Sequence, residues 1–182
     1  MKAIQTLLDD HKLINEMVGL LDASVKKAES PEGLPASVMS REIEFCRDFV
    51  NKWHEAKEEQ VLIPELQKRG YPLDRGPIWE TLEDHRKGRS ILRRLLAIEK
   101  ISKADEKQKS FVKLASAYSL YLYEHTREEE GGLFNAAVLA IKDERKDSLV
   151  NDYLALDKQL SVKGGKEKYE KIVEELKKEL GD

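Results

Sequence analysis

Four long stretches of the chain repeat apolar residues every three or four positions, and each places one histidine in that apolar register. The first reads Ile4, Leu7, His11, Ile14, Val18, Leu21 and Val25. The second reads Ile43, Cys46, Val50, His54, Glu58 and Val61, and the third Ile78, Leu82, His85, Arg89, Leu92 and Leu96. The fourth reads Phe111, Leu114, Tyr118, Leu122, His125, Glu129 and Leu133. Such spacing lines up one face of an α-helix for burial. All four histidines of the protein therefore point where leucines normally pack.

Helix breakers bound these stretches. ESPEGLP (29–35) is the first loop. RGYPLDRGP (69–77) is the second, with Gly70 and Pro72 as stops and Pro77 able to open the next helix. SKADE (102–106), KDERKD (142–147) and SVKGGK (161–166) mark later breaks. The predicted helices run over 3–28, 36–69, 77–101 and 105–142, with two shorter ones near 147–160 and 166–180. Short connections make long rods antiparallel neighbours. The predicted fold class is all-α: an up-down-up-down four-helix bundle over 1–145, then a helical extension over 146–182. The extension has its own stripes, Leu149, Tyr153, Leu156, Leu160 and Tyr169, Ile172, Val173, Leu176, Leu180, and is expected to pack on the bundle or on a partner.

Bulk properties narrow the function. Charged residues are 37% of the chain, yet the net charge is only −3. With no basic stripe and interleaved aromatics, nucleic acid is not an expected partner. The longest apolar run, AAVLAI, is far short of the ~18 residues that suggest a membrane span. The N-terminus lacks the apolar core of a secretion signal. The single cysteine, Cys46, fits a reducing cytoplasm, and its place on an apolar stripe reads as a packed, inert thiol. A homodimer is left open.

The chain also repeats itself. DDHK at 9–12 resembles EDHR at 83–86, and HEAKEEQVLI at 54–63 resembles HTREEEGGLF at 125–134. Helices one and two thus form one half, and three and four a pseudo-twofold mate. His11 and His85 lie about two turns into their helices, and His54 and His125 well along theirs. Antiparallel packing would bring all four imidazoles to one level. At ~1.5 Å rise per residue, Glu58 and Glu129 stand about one turn beyond their histidines on the same face.

A single H-x-x-x-E is a weak signal, because acids fill 35 of 182 positions. Convergence is stronger. Two buried carboxylates without a counter-charge are costly, and no lysine stripe enters this core. Two divalent cations would neutralise them. Six side chains would saturate one octahedral ion, whereas two ions sharing the glutamates keep open positions. Imidazole and carboxylate suit iron, manganese or zinc, and the lack of thiolates argues against structural zinc.

DDHK, WHEAKEEQVLIP, GPIWETLEDHRKGR and YEHTREEEGGLF together resemble the hemerythrin-like HHE cation-binding family over roughly residues 5–140. The resemblance implies a hemerythrin-like bundle with two non-heme irons joined by an oxo or hydroxo bridge. It implies His11, His54, Glu58, His85, His125 and Glu129 as ligands, the two glutamates bridging. Asn135 stands where the first half has Pro64, and Gly131 and Gly132 follow Glu129; helix four is expected to continue through them with a local bend. Only four histidines are present, whereas oxygen-carrying hemerythrins resemble a five-histidine pattern.

Around the ligands, Glu55 reads as a solvated carboxylate before a further ligand. Tyr118 and Tyr121 read as core packing before pocket lining, and Trp53 as a packing anchor. Arg89 reads equally as a partner of a ligand carboxylate or a snorkelling surface residue. Three functions compete: redox turnover of peroxide, nitric oxide or dioxygen; a sensor or iron-binding module without turnover; and a metal-free scaffold, which the buried acids disfavour.

Overall fold

The computed structural model describes residues 1–141, 144–160 and 165–181, and these are helical between short turns, with no strand among them. Helix α1 is Lys2–Ala28. Helix α2 is a continuous rod over 36–67, α3 is Gly76–Ile98, and α4 is Ala104–Gly131. The shorter α5 (Leu133–Ala140), α6 (Glu144–Leu160) and α7 (Gly165–Leu180) follow. The expected loops at 142–147 and 161–166 fall partly outside the described residues.

Cross-rod contacts show that neighbours run antiparallel. Along α1, Asn15 meets Thr126 and Asp22 meets Ser119 of α4. Asp10 meets Lys57 and Ser24 meets Glu42 of α2. Between α2 and α3, Glu59 meets His85 and Glu55 meets Arg89. Two apolar clusters fill the interior. One holds Ile14, Val50, Leu92 and Tyr118; the other holds Leu7, Leu62, Ile78 and Leu133. On α1, α2 and α3 the histidine lies between its contributions to the two clusters, and His125 lies between the α4 residues of one and the α5 residues of the other, so the polar layer is sandwiched between apolar ends. Burial on both sides fixes its depth.

α2 departs from a plain α-helix. Phe45–His54 and Glu58–Leu62 wind as π-helix between the α-helical pieces Ala36–Glu44, Glu55–Lys57 and Ile63–Gln67. One line of its buried residues follows a strict four-residue repeat: Glu42, Cys46, Val50, His54, Glu58, Leu62 and Leu66. An α-helix at 3.6 residues per turn would carry such a repeat about 40° further round at each step. The wider π turns take up that excess and keep the repeat on one face. The sequence stripe ended on Val61; in the structure Val61 is half-buried and Leu62 takes the core position.

α4 makes its adjustment differently. The helix was expected to run through Gly131 and Gly132, but it stops at Gly131 and restarts at Leu133. Gly132 takes φ −106°, ψ −86°, and its N–H donates to the Glu128 carbonyl at 2.8 Å. A Cβ there would lie 2.9 Å from that same oxygen, so only glycine allows the break.

α6 and α7 both pack against α1 and α2. Leu149 and Tyr153 join one apolar cluster, and Tyr169, Ile172, Val173 and Leu176 the other. No helix among the described residues is long and apolar enough to cross a membrane.

Candidate metal centre

His11, His54, Glu58, His85, His125 and Glu129 all lie in the polar layer, each at most 2% exposed. They form two donor sets. His11 and His54 group with Glu58 and Glu129; His85 and His125 group with the same two glutamates. His11 Nε2 lies 3.1 Å from His54 Nε2 and 3.3 Å from Glu129 Oε2, and His54 Nε2 lies 3.7 Å from Glu58 Oε1. On the other side His85 Nε2 lies 3.3 Å from both Glu58 Oε2 and Glu129 Oε1. His125 Nε2 is 3.4 Å from Glu129 Oε2. Glu58 thus turns one oxygen toward each histidine pair, whereas Glu129 Oε1 faces His85 and its Oε2 lies beside both His11 and His125.

These side chains fit a metal. Donors at right angles round an ion with ~2.1 Å bonds stand about 3 Å apart, close to the shortest of these separations. Both Glu58 oxygens, both His125 nitrogens and Glu129 Oε2 are buried without a hydrogen-bond partner among the described residues. Orphaned buried polar atoms on this scale are costly unless something binds them.

The charges point the same way. Burial, then the charge of Glu129, pushes the Glu58 carboxyl up. Burial also opposes a charged Glu129, but His125, His11, His54 and His85 hold it well below the carboxylate range. Burial disfavours an imidazolium at His54, yet Glu58, Asp10 and Glu129 raise it to about 10. His85 is raised in the same way against burial by Glu129, Glu55, Glu58 and Glu59. Burial drives His125 down to about 3.

Outside the donors lies a second repeat that the stripes did not reveal. His85 Nδ1 donates to Glu59 Oε1 at 2.6 Å, and His11 Nδ1 donates to Glu130 Oε1 at 2.9 Å. Glu59 and Glu130 each directly follow a central glutamate, so both halves read H-x-x-x-E-E. That doubled acid was the available signal. Each of these outer acids fixes the ring of a histidine from the opposite half, leaving its Nε2 for the centre.

Several neighbours differ from expectation. Glu55 was read as solvated but is 1% exposed. It accepts from Asn51 and Arg89 at 2.8 and 3.0 Å, and Tyr121 donates to it at 3.4 Å. Burial raises it to about 7. Arg89 pairs with Glu55 and Glu59 rather than with a central carboxylate. Tyr118 packs in the core, whereas Tyr121 also stacks on His125 at 5.2 Å. Cys46 is buried, and burial pushes its thiol up, as an inert packed cysteine requires. One lysine does enter the interior. Lys57 is 2% exposed and bonds Asp10 at 2.9 Å, beside the donor sets rather than between the glutamates. The expectation that no lysine stripe enters this core did not single it out.

The chain matches the Hemerythrin HHE cation binding domain over residues 2–137 and belongs to that family. It is also similar to uncharacterized proteins of Mycobacterium bovis and Mycobacterium tuberculosis, 23% identical over 95 residues. The match covers 52% of this chain and 36% of each relative, so it spans about a third of their length. No solved structure matches the chain.

Proposed function

We propose that the chain holds two iron ions between Glu58 and Glu129 and presents them to a small ligand such as peroxide, nitric oxide or dioxygen, in redox or stress-related chemistry. The split of the two glutamates between the histidine pairs carries this reading. Two imidazoles and two carboxylate oxygens would offer each ion four donors. An ion that favours six donors would then have room for a small ligand, unlike a closed structural site. The donor chemistry also accommodates manganese or zinc; the family resemblance favours iron.

Bound iron would supply Lewis acidity and one-electron chemistry. The chain's own residues do the rest. Glu59 and Glu130 hold His85 and His11 in the tautomer whose Nε2 faces inward. The apolar clusters above and below exclude bulk water. The buried, lone Cys46 suits a cytoplasmic setting, where a reductant of the cell would serve as electron donor.

A second reading, sensing or iron binding without turnover, draws support from one link. Asp10 lies 3.8 Å from His54 Nδ1 and accepts from Lys166 of α7 at 2.9 Å, so the centre touches the C-terminal helices. Anaerobic reconstitution with ferrous iron, then stopped-flow mixing with peroxide, dioxygen and nitric oxide, separates the two. Turnover supports the first reading, and a stable reversible adduct supports the second. Fewer than two metals per chain removes both.

A further inference from the structure

Four seams surround the donor sets, one between each pair of neighbouring rods. The α1–α2 seam lies against α6 and α7, where Lys57 is bound by Asp10 and faces Asp157. The α2–α3 seam is crossed by Arg89, whose guanidinium bridges Glu55 and Glu59. At the α1–α4 seam, Phe134 stacks on His11 at 5.0 Å and Thr126 meets Asn15.

The α3–α4 seam is different. A cleft of about 200 Å³ opens there, with Asp84, Lys87, Glu124, Glu128 and His125 in its walls. A narrower cleft beside it is bordered by Asp84, Glu128 and Glu129. Asp84 and Glu128 therefore stand at both openings, and the walls reach two of the central donors. Three carboxylates face one ammonium, so the mouth is net negative. At its inner end, His125 is fully buried with neither ring nitrogen hydrogen-bonded, and Glu129 Oε2 is also unpartnered.

The pseudo-twofold sharpens the contrast. Asp84, Lys87, Glu124 and Glu128 occupy the positions that Asp10, Leu13, Trp53 and Lys57 hold in the first half. Those four are buried. One face of the repeat is closed, and the matching face is open and acidic.

We infer that the cleft between α3 and α4, framed by Asp84 and Glu128 above His125 and Glu129, is the route by which a divalent cation reaches the buried donors. This rests on reading the six donors as a metal centre. A hydrated cation sheds its water only where replacement oxygens are free; in the α1–α2 and α2–α3 seams Lys57 and Arg89 hold the acids, and Phe134 covers His11 at the α1–α4 seam. Carboxylates at the mouth attract it and supply those oxygens in turn. A negative cleft with low-dielectric walls also raises local cation concentration and capture rate.

The test is anaerobic loading with cobaltous chloride, followed by visible absorption in a stopped-flow instrument, with bound metal per chain measured at equilibrium. Asp84→Asn with Glu128→Gln keeps shape and removes charge. It is expected to load roughly tenfold more slowly, with a flattened salt dependence, and to reach the same final stoichiometry. Lys87→Gln, at a 68%-exposed position, removes the opposing charge and is expected to load about two- to threefold faster. Glu16→Gln with Glu170→Gln, at the acidic surface between α1 and α7, is expected to load at the parent rate. Unchanged rates in the first two variants, or equal slowing in the control, would overturn the route while leaving the metal centre intact. A parent chain that binds no metal at equilibrium would overturn both.

Discussion

Three residues after its central histidine, α2 carries Lys57 and α4 carries Glu128. Lys57 is buried and salt-bridged beneath α6 and α7, while Glu128 stands exposed beside Asp84. The same contrast runs through the two halves. Val50 and Ile14 in the first half correspond to Tyr121 and Gly88 in the second, a large residue beside a glycine in place of two of middle size. After the central glutamate, α2 turns through π-helix to bury Leu62, whereas α4 breaks at Gly132 to bury Leu133. The donors and the acids behind them are common to both. Metal-like geometry tolerates little variation in donors, while the surrounding packing only has to fill space and close against whatever covers it.

The shared glutamates give the largest expected effect. His54→Ala with Glu58→Ala removes a donor common to both sets, so both ions should be lost while most helicity by circular dichroism remains. His85→Ala with His125→Ala removes donors of one set and should leave about one metal per chain. Equal losses in the two variants would break the assignment of Glu58 to both sets.

Lys57 and Glu128 come next. Lys57→Met leaves Asp10 buried with one partner fewer, and denaturant unfolding should show a loss of about 3 kcal/mol. Glu128→Gln, its mate on the open face, should change stability by less than about 0.5 kcal/mol. Similar losses at both sites would mean that the covered and open faces are not energetically distinct.

The glycines separate the halves again. A Cβ on Gly88 would sit 2.3 Å from the Tyr121 ring, so Gly88→Ala should cost about 1–3 kcal/mol and disturb the stacking on His125. Gly19 has nothing within 4 Å, and Gly19→Ala should stabilise by about 0.5–1 kcal/mol. Thermal unfolding of the two variants should shift in opposite directions.

A pH-dependent effect concerns Glu42, at the far end of α2. Burial raises it to about 8, although Ser24 donates to it at 2.6 Å. The folded chain therefore binds this proton more tightly than the unfolded chain. Stability falls as pH rises from the ordinary carboxylate range through about 8. Glu42→Gln should remove that slope and gain on the order of 1 kcal/mol at pH 8. An unchanged slope would place its cause elsewhere.

The rods and the six central residues were legible because each histidine sits in an apolar register, and registers survive small errors in helix bounds. Residues behind the donors were less legible. Glu59 and Glu130 occupy positions that an α-helical wheel gives to solvent, and only the contact across halves gives them a partner. Glu55 was misplaced, and Lys57 passed over, for a related reason, since π-helical winding widens the buried face of α2. No local pattern in the sequence marks where an α turn becomes a π turn.

The central claim is that two cations lie between Glu58 and Glu129. Its most direct test is metal content per chain after anaerobic ferrous reconstitution and removal of free iron, together with the near-ultraviolet spectrum after oxidation. The account predicts two irons per chain and the absorption of a bridged ferric pair. One iron or none in a folded chain would contradict it.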